Sequence, residues 1–250
     1  MRILLLLCCC FCSQLWAAPS AAVATAPDPE LYWQAKDWQE AGEAKQIGNQ
    51  LTLLHKSDQG YRLGLALLLP DWQQVADLQP FSRHLNKLGF DTLILLPNPK
   101  QQDLDPNAEQ DKAAIKQFRQ QWQQQLSDLQ SNSGDPSGYQ LMVAAGSSAV
   151  WLSGLLATEA ITPPDALILV DAFYPAQDAN EILASELAMT SMPVLDLYQP
   201  GRVNWLDQAA RERQQACKQN NKLNWRQASL LNREERLTQV AGWLNALGWK

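Results

Sequence analysis

Apolar residues along this chain alternate between short continuous runs and longer stretches where they recur every three or four positions. Leu51 to Lys56 reads as a strand. Arg62 to Leu69 is a second, near-continuous apolar run, the pattern required of a strand covered on both faces. Pro80 suits the first turn of a helix, in which Phe81, His84, Leu85 and Leu88 share one face, and Gly89 ends it. Thr92 to Leu96 is the next strand, stopped by Pro97 and Pro99. The glutamine-rich stretch from Gln101 to Gln130 is patterned rather than low-complexity. Ile115, Phe118, Trp122, Leu126 and Leu129 form one apolar stripe on a long helix, with glutamines on its solvated face. Strands at Leu141 to Ala145, Ala166 to Val170, Val194 to Tyr198 and Trp225 to Leu230 then alternate with helices. Those helices fall at Val150 to Leu156, Ala179 to Leu187, Trp205 to Lys218 and Glu234 to Leu247. Strand–helix units of this length predict a mostly parallel sheet with helices on both faces.

One junction stands apart. Tyr139 to Leu156 reads YQLMVAAGSSAVWLSGLL, so a strand meets a helix through Ala144, Ala145, Gly146, Ser147, Ser148 and Ala149, all of them small. A sharp strand-to-helix turn brings two backbones together and strains the residue at its tip, which is the shape of a nucleophile elbow.

The N-terminus carries a different signal. Arg2 precedes an uninterrupted apolar run from Ile3 to Cys12, followed by small residues at Ala17, Ala18 and Ala22 to Ala24. Residues 1–24 therefore read as an export signal, too short for an ordinary membrane span, and place the protein in the periplasm without a stable membrane anchor after cleavage. Residues 25–48 are a polar segment in which Ala41 to Lys45 allows a short helix and Trp33 and Trp38 are expected to pin the chain to the domain. Residues 49–250 then form a single domain, long enough to bury a core. Four of the five cysteines lie in the signal, so Cys217 has no partner for an internal disulfide. It sits on a charged helix and, if exposed, is expected to be dispensable for stability. The net charge of −6, with no basic cluster, argues against nucleic acid as a partner.

The order of elements resembles the α/β-hydrolase fold, a three-layer sandwich. Four pieces narrow the resemblance: Leu69-Pro70-Asp71-Trp72 after an early strand, Ala144 to Ala149 at the elbow, Pro193 to Tyr198, and Trp225-Arg226-Gln227 ahead of Gly242-Trp243-Leu244. Together they resemble an uncharacterised, domain-of-unknown-function family of secreted α/β-hydrolase-like proteins from Gram-negative bacteria. The resemblance implies the fold but assigns no reaction.

A hydrolase of this fold needs a nucleophile, a base, an acid and oxyanion donors. At the elbow the candidates are Gly146, Ser147 and Ser148. Ser147 fits the small-x-Ser-x-small spacing between Ala145 and Ala149, whereas the strand register of typical hydrolases puts Gly146, with nothing to react, at the tip. Ser148 would place Val150 at a crowded position. The base should be a late histidine, yet the chain has only His55 and His84, both before the elbow. His84 reads as a packing residue and His55 as an exposed strand end. The loop after the last strand offers Leu231, Asn232 and Arg233 instead. Asp171 and Asp196 are the candidate acids, and their competing reading is solvated turn carboxylates or helix caps. Pro70, where an oxyanion donor is needed, has no N–H. Two separated histidines and one cysteine do not make a zinc site, and no glycine-rich loop matches a dinucleotide or phosphate cradle, so no cofactor or metal is expected. Most tryptophans fall within the helix and strand patterns and read as core. Trp72 does not.

The sequence therefore favours a degenerate catalytic site on an exported, non-catalytic binding or interaction module, with a periplasmic ligand or protein as its partner. The alternative is an esterase-like serine hydrolase, a carboxylic ester hydrolase using Ser147 with an unorthodox base.

Overall fold

A computed structural model describes residues 43–47, 50–71, 78–95, 104–106, 112–132, 138–230 and 232–249. The export signal expected at residues 1–24 and the expectations for Trp33, Trp38 and Trp72 lie outside these residues. The strands are β1 (Glu43–Ile47), β2 (Gln50–His55), β3 (Gly64–Leu69), β4 (Phe90–Leu95), β5 (Tyr139–Ala145), β6 (Ala166–Val170), β7 (Val194–Tyr198) and β8 (Trp225–Ser229). The helices are α1 (Gln79–Lys87), α2 (Lys112–Asn132), α3 (Ser147–Ala157), α4 (Gln177–Met189), α5 (Asn204–Gln219) and α6 (Arg233–Ala246).

The strands form one sheet in the order β1-β2-β4-β3-β5-β6-β7-β8. β1 and β2 pair antiparallel, as do β2 and β4, and every pair from β4 to β8 is parallel. Helices cover both faces, as a parallel sheet demands. On one face Leu67, Leu69, Met142, Ala144, Leu167 and Leu169 pack against the stripe of α2 and against α3 and α4. On the other, Ala66, Leu68, Val143, Ile168 and Leu195 meet Phe81 and Leu85 of α1 and Val240 and Leu244 of α6. The period-2 alternation along each strand decides which side chain goes to which layer. Each large aliphatic side chain so buried contributes roughly 1.5–3 kcal/mol. This is the α/β-hydrolase three-layer sandwich that the order of elements implies.

Several local expectations change. Glu43–Ile47 is an edge strand, where the sequence allows a short helix at 41–45. His55 is half-buried rather than exposed, with Nδ1 2.7 Å from Ser82 Oγ. Cys217, expected to be dispensable on an exposed helix face, is only 2% exposed. α5 turns that position inward with Leu206, Ala209, Ala210 and Arg213, all buried.

Candidate functional site

The parallel strands point their C-terminal ends at one rim, the side on which open α/β sheets place their ligands. The elbow is there. β5 ends at Ala145, α3 begins at Ser147, and Gly146 joins them with φ +52° and ψ −129°. Its N–H donates to Val170 O at 3.0 Å, and Gly146 O accepts from Ala149 N at 3.2 Å, which fixes the turn between β6 and the first turn of α3. The tip residue is thus Gly146, and Ser147 is the first helical residue after it. The register resolves against the reading that puts Ser147 at the tip. Positive φ at this sharp turn is the physical reason glycine is suited to it.

The space above the tip is filled. An ideal Cβ on Gly146 would lie 2.5 Å from Asp71 Oδ2, 2.6 Å from its Cγ and 2.8 Å from its Cβ. Asp71 follows Pro70 directly after β3 and is 9% exposed. Its Oδ1 accepts a 2.7 Å hydrogen bond from Ser147 Oγ, while Ser148 Oγ donates to Pro70 O at 2.8 Å. Both elbow hydroxyls therefore bond back to the segment that ends β3. The carboxylate also lies against the first turn of α3, where the helix dipole favours negative charge. Asp71 was not among the acids the sequence suggested. Its only sign was its place in Leu69-Pro70-Asp71-Trp72, immediately after a strand.

The two acids that were suggested are buried ion-pair partners, neither solvated turn carboxylates nor helix caps. Asp171 follows β6 with φ +48°, a left-handed conformation that Asp tolerates better than most residues. Its Oδ1 accepts from Gln199 N at 2.7 Å, and its Oδ2 accepts from Arg236 Nη2 at 2.9 Å and Arg202 Nη1 at 3.4 Å. Asp196 lies within β7, paired across to Leu169 and Gln227 rather than on the rim. It is fully buried and bidentate with Arg213: Nε to Oδ2 at 2.9 Å and Nη2 to Oδ1 at 3.0 Å. Gln227 Nε2 adds 2.7 Å to Oδ2, and Arg213 Nη1 donates to Ala172 O at 2.6 Å. Charge and hydrogen bonding close on themselves, as a buried pair must.

The loop after β8, where a hydrolase keeps its histidine, carries Asn232. Its side chain accepts from Glu235 N at 2.8 Å and caps α6. Neither histidine comes near. His55 is level with Thr92, hence with Ala66 and Leu141, five residues before the tip and three strands away. Strand spacings put it roughly 20 Å from Gly146. His84 is half-buried on α1.

Tyr174, in the loop after β6, borders the same rim. Burial pushes its phenol upward, and the Asp105 and Asp71 carboxylates push the same way. Its OH donates to Leu104 O at 2.8 Å, and its backbone N–H to Asn180 Oδ1 at 2.8 Å. Among the described residues no three His, Cys, Asp or Glu come together as metal ligands.

The comparisons agree with this geometry at the level of fold. A family model described as a protein of unknown function (DUF3530) matches residues 96–246, more than half of the chain. No curated protein matches it in sequence. The chain is similar in structure to a lipase/esterase from Lactobacillus plantarum, with a TM-score of 0.59 at 10% identity, covering 83% of this chain and 97% of that one. It is also similar to Thermogutta terrifontis esterase 2 phosphoramylated by tabun, with a TM-score of 0.57 at 11% identity, covering 84% and 96%. A third is Est1E from Butyrivibrio proteoclasticus with bound ferulic acid, with a TM-score of 0.52 at 11% identity, covering 76% and 89%.

Proposed function

The chain belongs to the DUF3530 family, and we propose that it is an exported, non-catalytic α/β-hydrolase-like module that binds a periplasmic ligand or partner protein. The observation that carries this reading is the pairing of Gly146 at the elbow tip with the Asp71 carboxylate in the space above it. A tip without a side chain has no atom to attack an acyl carbon, and the base position is taken by a helix cap. Export rests on Arg2, the apolar run and the small residues that follow. Among the described residues no helix is long and apolar enough to cross a membrane. Cell fractionation tests the compartment: the protein should leave with the periplasmic fraction, and retention of Met1 on inner-membrane protein would refute export.

The contact of Ser147 Oγ with Asp71 Oδ1 at 2.7 Å favours a second reading, an esterase-like serine hydrolase with a carboxylate as its base. Ordinary carboxylates are too weakly basic to take a serine proton near neutral pH, and loss of a triad member typically costs about four powers of ten or more in rate. A serine-directed fluorophosphonate separates the two. The non-catalytic reading expects Ser147 and Ser148 unlabelled and activated short-chain esters hydrolysed no faster than by denatured protein. Stoichiometric labelling of Ser147, with turnover abolished by Ser147→Ala, would establish the hydrolase instead.

A further inference from the structure

Away from the elbow, an open groove of about 430 Å³ runs between α2 and the C-terminal end of α3. That volume is within the range of small-molecule sites. Its composition differs from that of the chain as a whole. Lys112, Lys116 and Arg119 fall at i, i+4 and i+7 on α2 and line one wall, and among the described residues no carboxylate lines it, on a protein of net charge −6. Ile115 and Leu155, both buried, supply an apolar floor, and Ala160 continues it.

Among the described residues the nearby acids stand beside the groove. Asp105 and Glu159 adjoin lining residues without lining it. Glu186 is half-buried on α4, where its Oε2 accepts from Ser153 Oγ at 2.6 Å, and its carboxylate also feels the Arg119 charge, so a ligand head would share Arg119 with it. Gln123 Nε2 donates to Ala160 O at 2.9 Å and ties the two walls together. Arg119 is pre-oriented as well: its guanidinium carbon lies 5.7 Å from the Trp151 ring centroid. Stacking of that kind restricts the side chain while leaving its N–H fork for a carboxylate.

We propose that this groove binds a single-chain amphiphile with a carboxylate head, the chain lying on Ile115 and Leu155 and the head held between Lys116 and Arg119. Charge alone would suit any anion. The apolar floor directly beneath the cations selects one that carries a hydrocarbon chain. No elbow residue takes part, so the site stands whether or not Ser147 reacts.

Titration calorimetry of the full-length mature protein at low ionic strength, with decanoate kept below its micelle concentration, tests it. Decanoate should bind at least about tenfold more tightly than decanol or acetate, because only decanoate uses both cations and floor. Raising the salt should weaken it. Lys116→Glu should weaken it by about threefold or more, and Arg119→Gln should do so too if its melting curve shows it folded. Lys116 is exposed, so its variant decides the matter even if the Arg119 variant unfolds. Absence of binding, equal binding of decanol, equal binding of acetate, or an unaltered Lys116→Glu would each overturn the proposal.

Discussion

Asp71 and Gly146 share one volume: the carboxylate Oδ2 lies 2.5 Å from where a Cβ on the glycine would stand. The contact involves Asp71 Cγ and Cβ too, so a rotation of the carboxylate alone would not clear it. Gly146→Ala should therefore destabilise the protein through both crowding and its positive φ, by roughly 1–3 kcal/mol for the backbone alone. Asp71→Ala removes the Oδ2 and Cγ contacts but keeps the Cβ at 2.8 Å, so it should recover only part of the crowding, leaving a coupling of roughly 0.5–3 kcal/mol in a double-mutant cycle by urea unfolding. A Gly146→Ala variant as stable as the parent would show that the tip geometry is wrong.

Asp196 and Arg213 form a closed pair at 0% exposure on both sides. Removing one partner strands a charge in the core, so Asp196→Ala or Arg213→Ala should each cost about 3–5 kcal/mol. Replacing both with apolar residues of similar volume should cost much less than either single change. Thermal melts of the three variants check this, and additive losses would contradict it.

Cys217 is buried, and its thiol is pushed up to about 11, first by desolvation. A reagent such as Ellman's should modify it only on unfolding. The raised folded value also gives a signed pH effect. The native state holds the proton more tightly than the unfolded chain, so this contribution to stability is complete below the ordinary value of 9.0 and is lost as pH rises toward about 11. Cys217→Ser should flatten that part of the stability curve, at a cost of about 1–3 kcal/mol for a hydroxyl placed in a buried site. Rapid modification of the native protein would contradict the burial.

Asn232 caps α6 through its 2.8 Å contact with Glu235 N. Asn232→His introduces an imidazole into the loop after the last strand, where hydrolases of this fold carry one, and it should cost about 0.5–2 kcal/mol of stability as the cap is lost. It should bring no ester hydrolysis, because the elbow tip still has no side chain. Measurable turnover in that single variant would show that Ser147 can serve as the nucleophile.

The parallel strands were legible because they are covered on both faces: β6 is buried at all five of its positions and reads as an unbroken apolar run. The stripe of α2 was as plain, since Ile115, Phe118, Trp122, Leu126 and Leu129 all face the core. β1 was not, because an edge strand of sequence EAKQI has no apolar alternation. The site was legible only in part. Small residues marked the elbow and left its register open, because Gly146 and Ser147 are equally small at that spacing. Asp71 and Ser147 are 76 residues apart, and nothing local in either stretch announces their contact. Asp196 looked like a strand-end carboxylate until α5, 17 residues on, brought Arg213 over it.

The occupied tip also ties changes at the elbow to one another. A serine introduced at position 146 alone would meet the Asp71 side chain, and removing Asp71 alone would leave Ser147 Oγ without that acceptor and the tip still without a side chain. A late imidazole would be a third change, at the expense of a helix cap. None of these substitutions alone gives the elbow a tip side chain, room above it and a late imidazole together. Packing at Gly146 and Asp71 thus couples positions that are 75 residues apart in the chain, so a change at one is felt at once by the other.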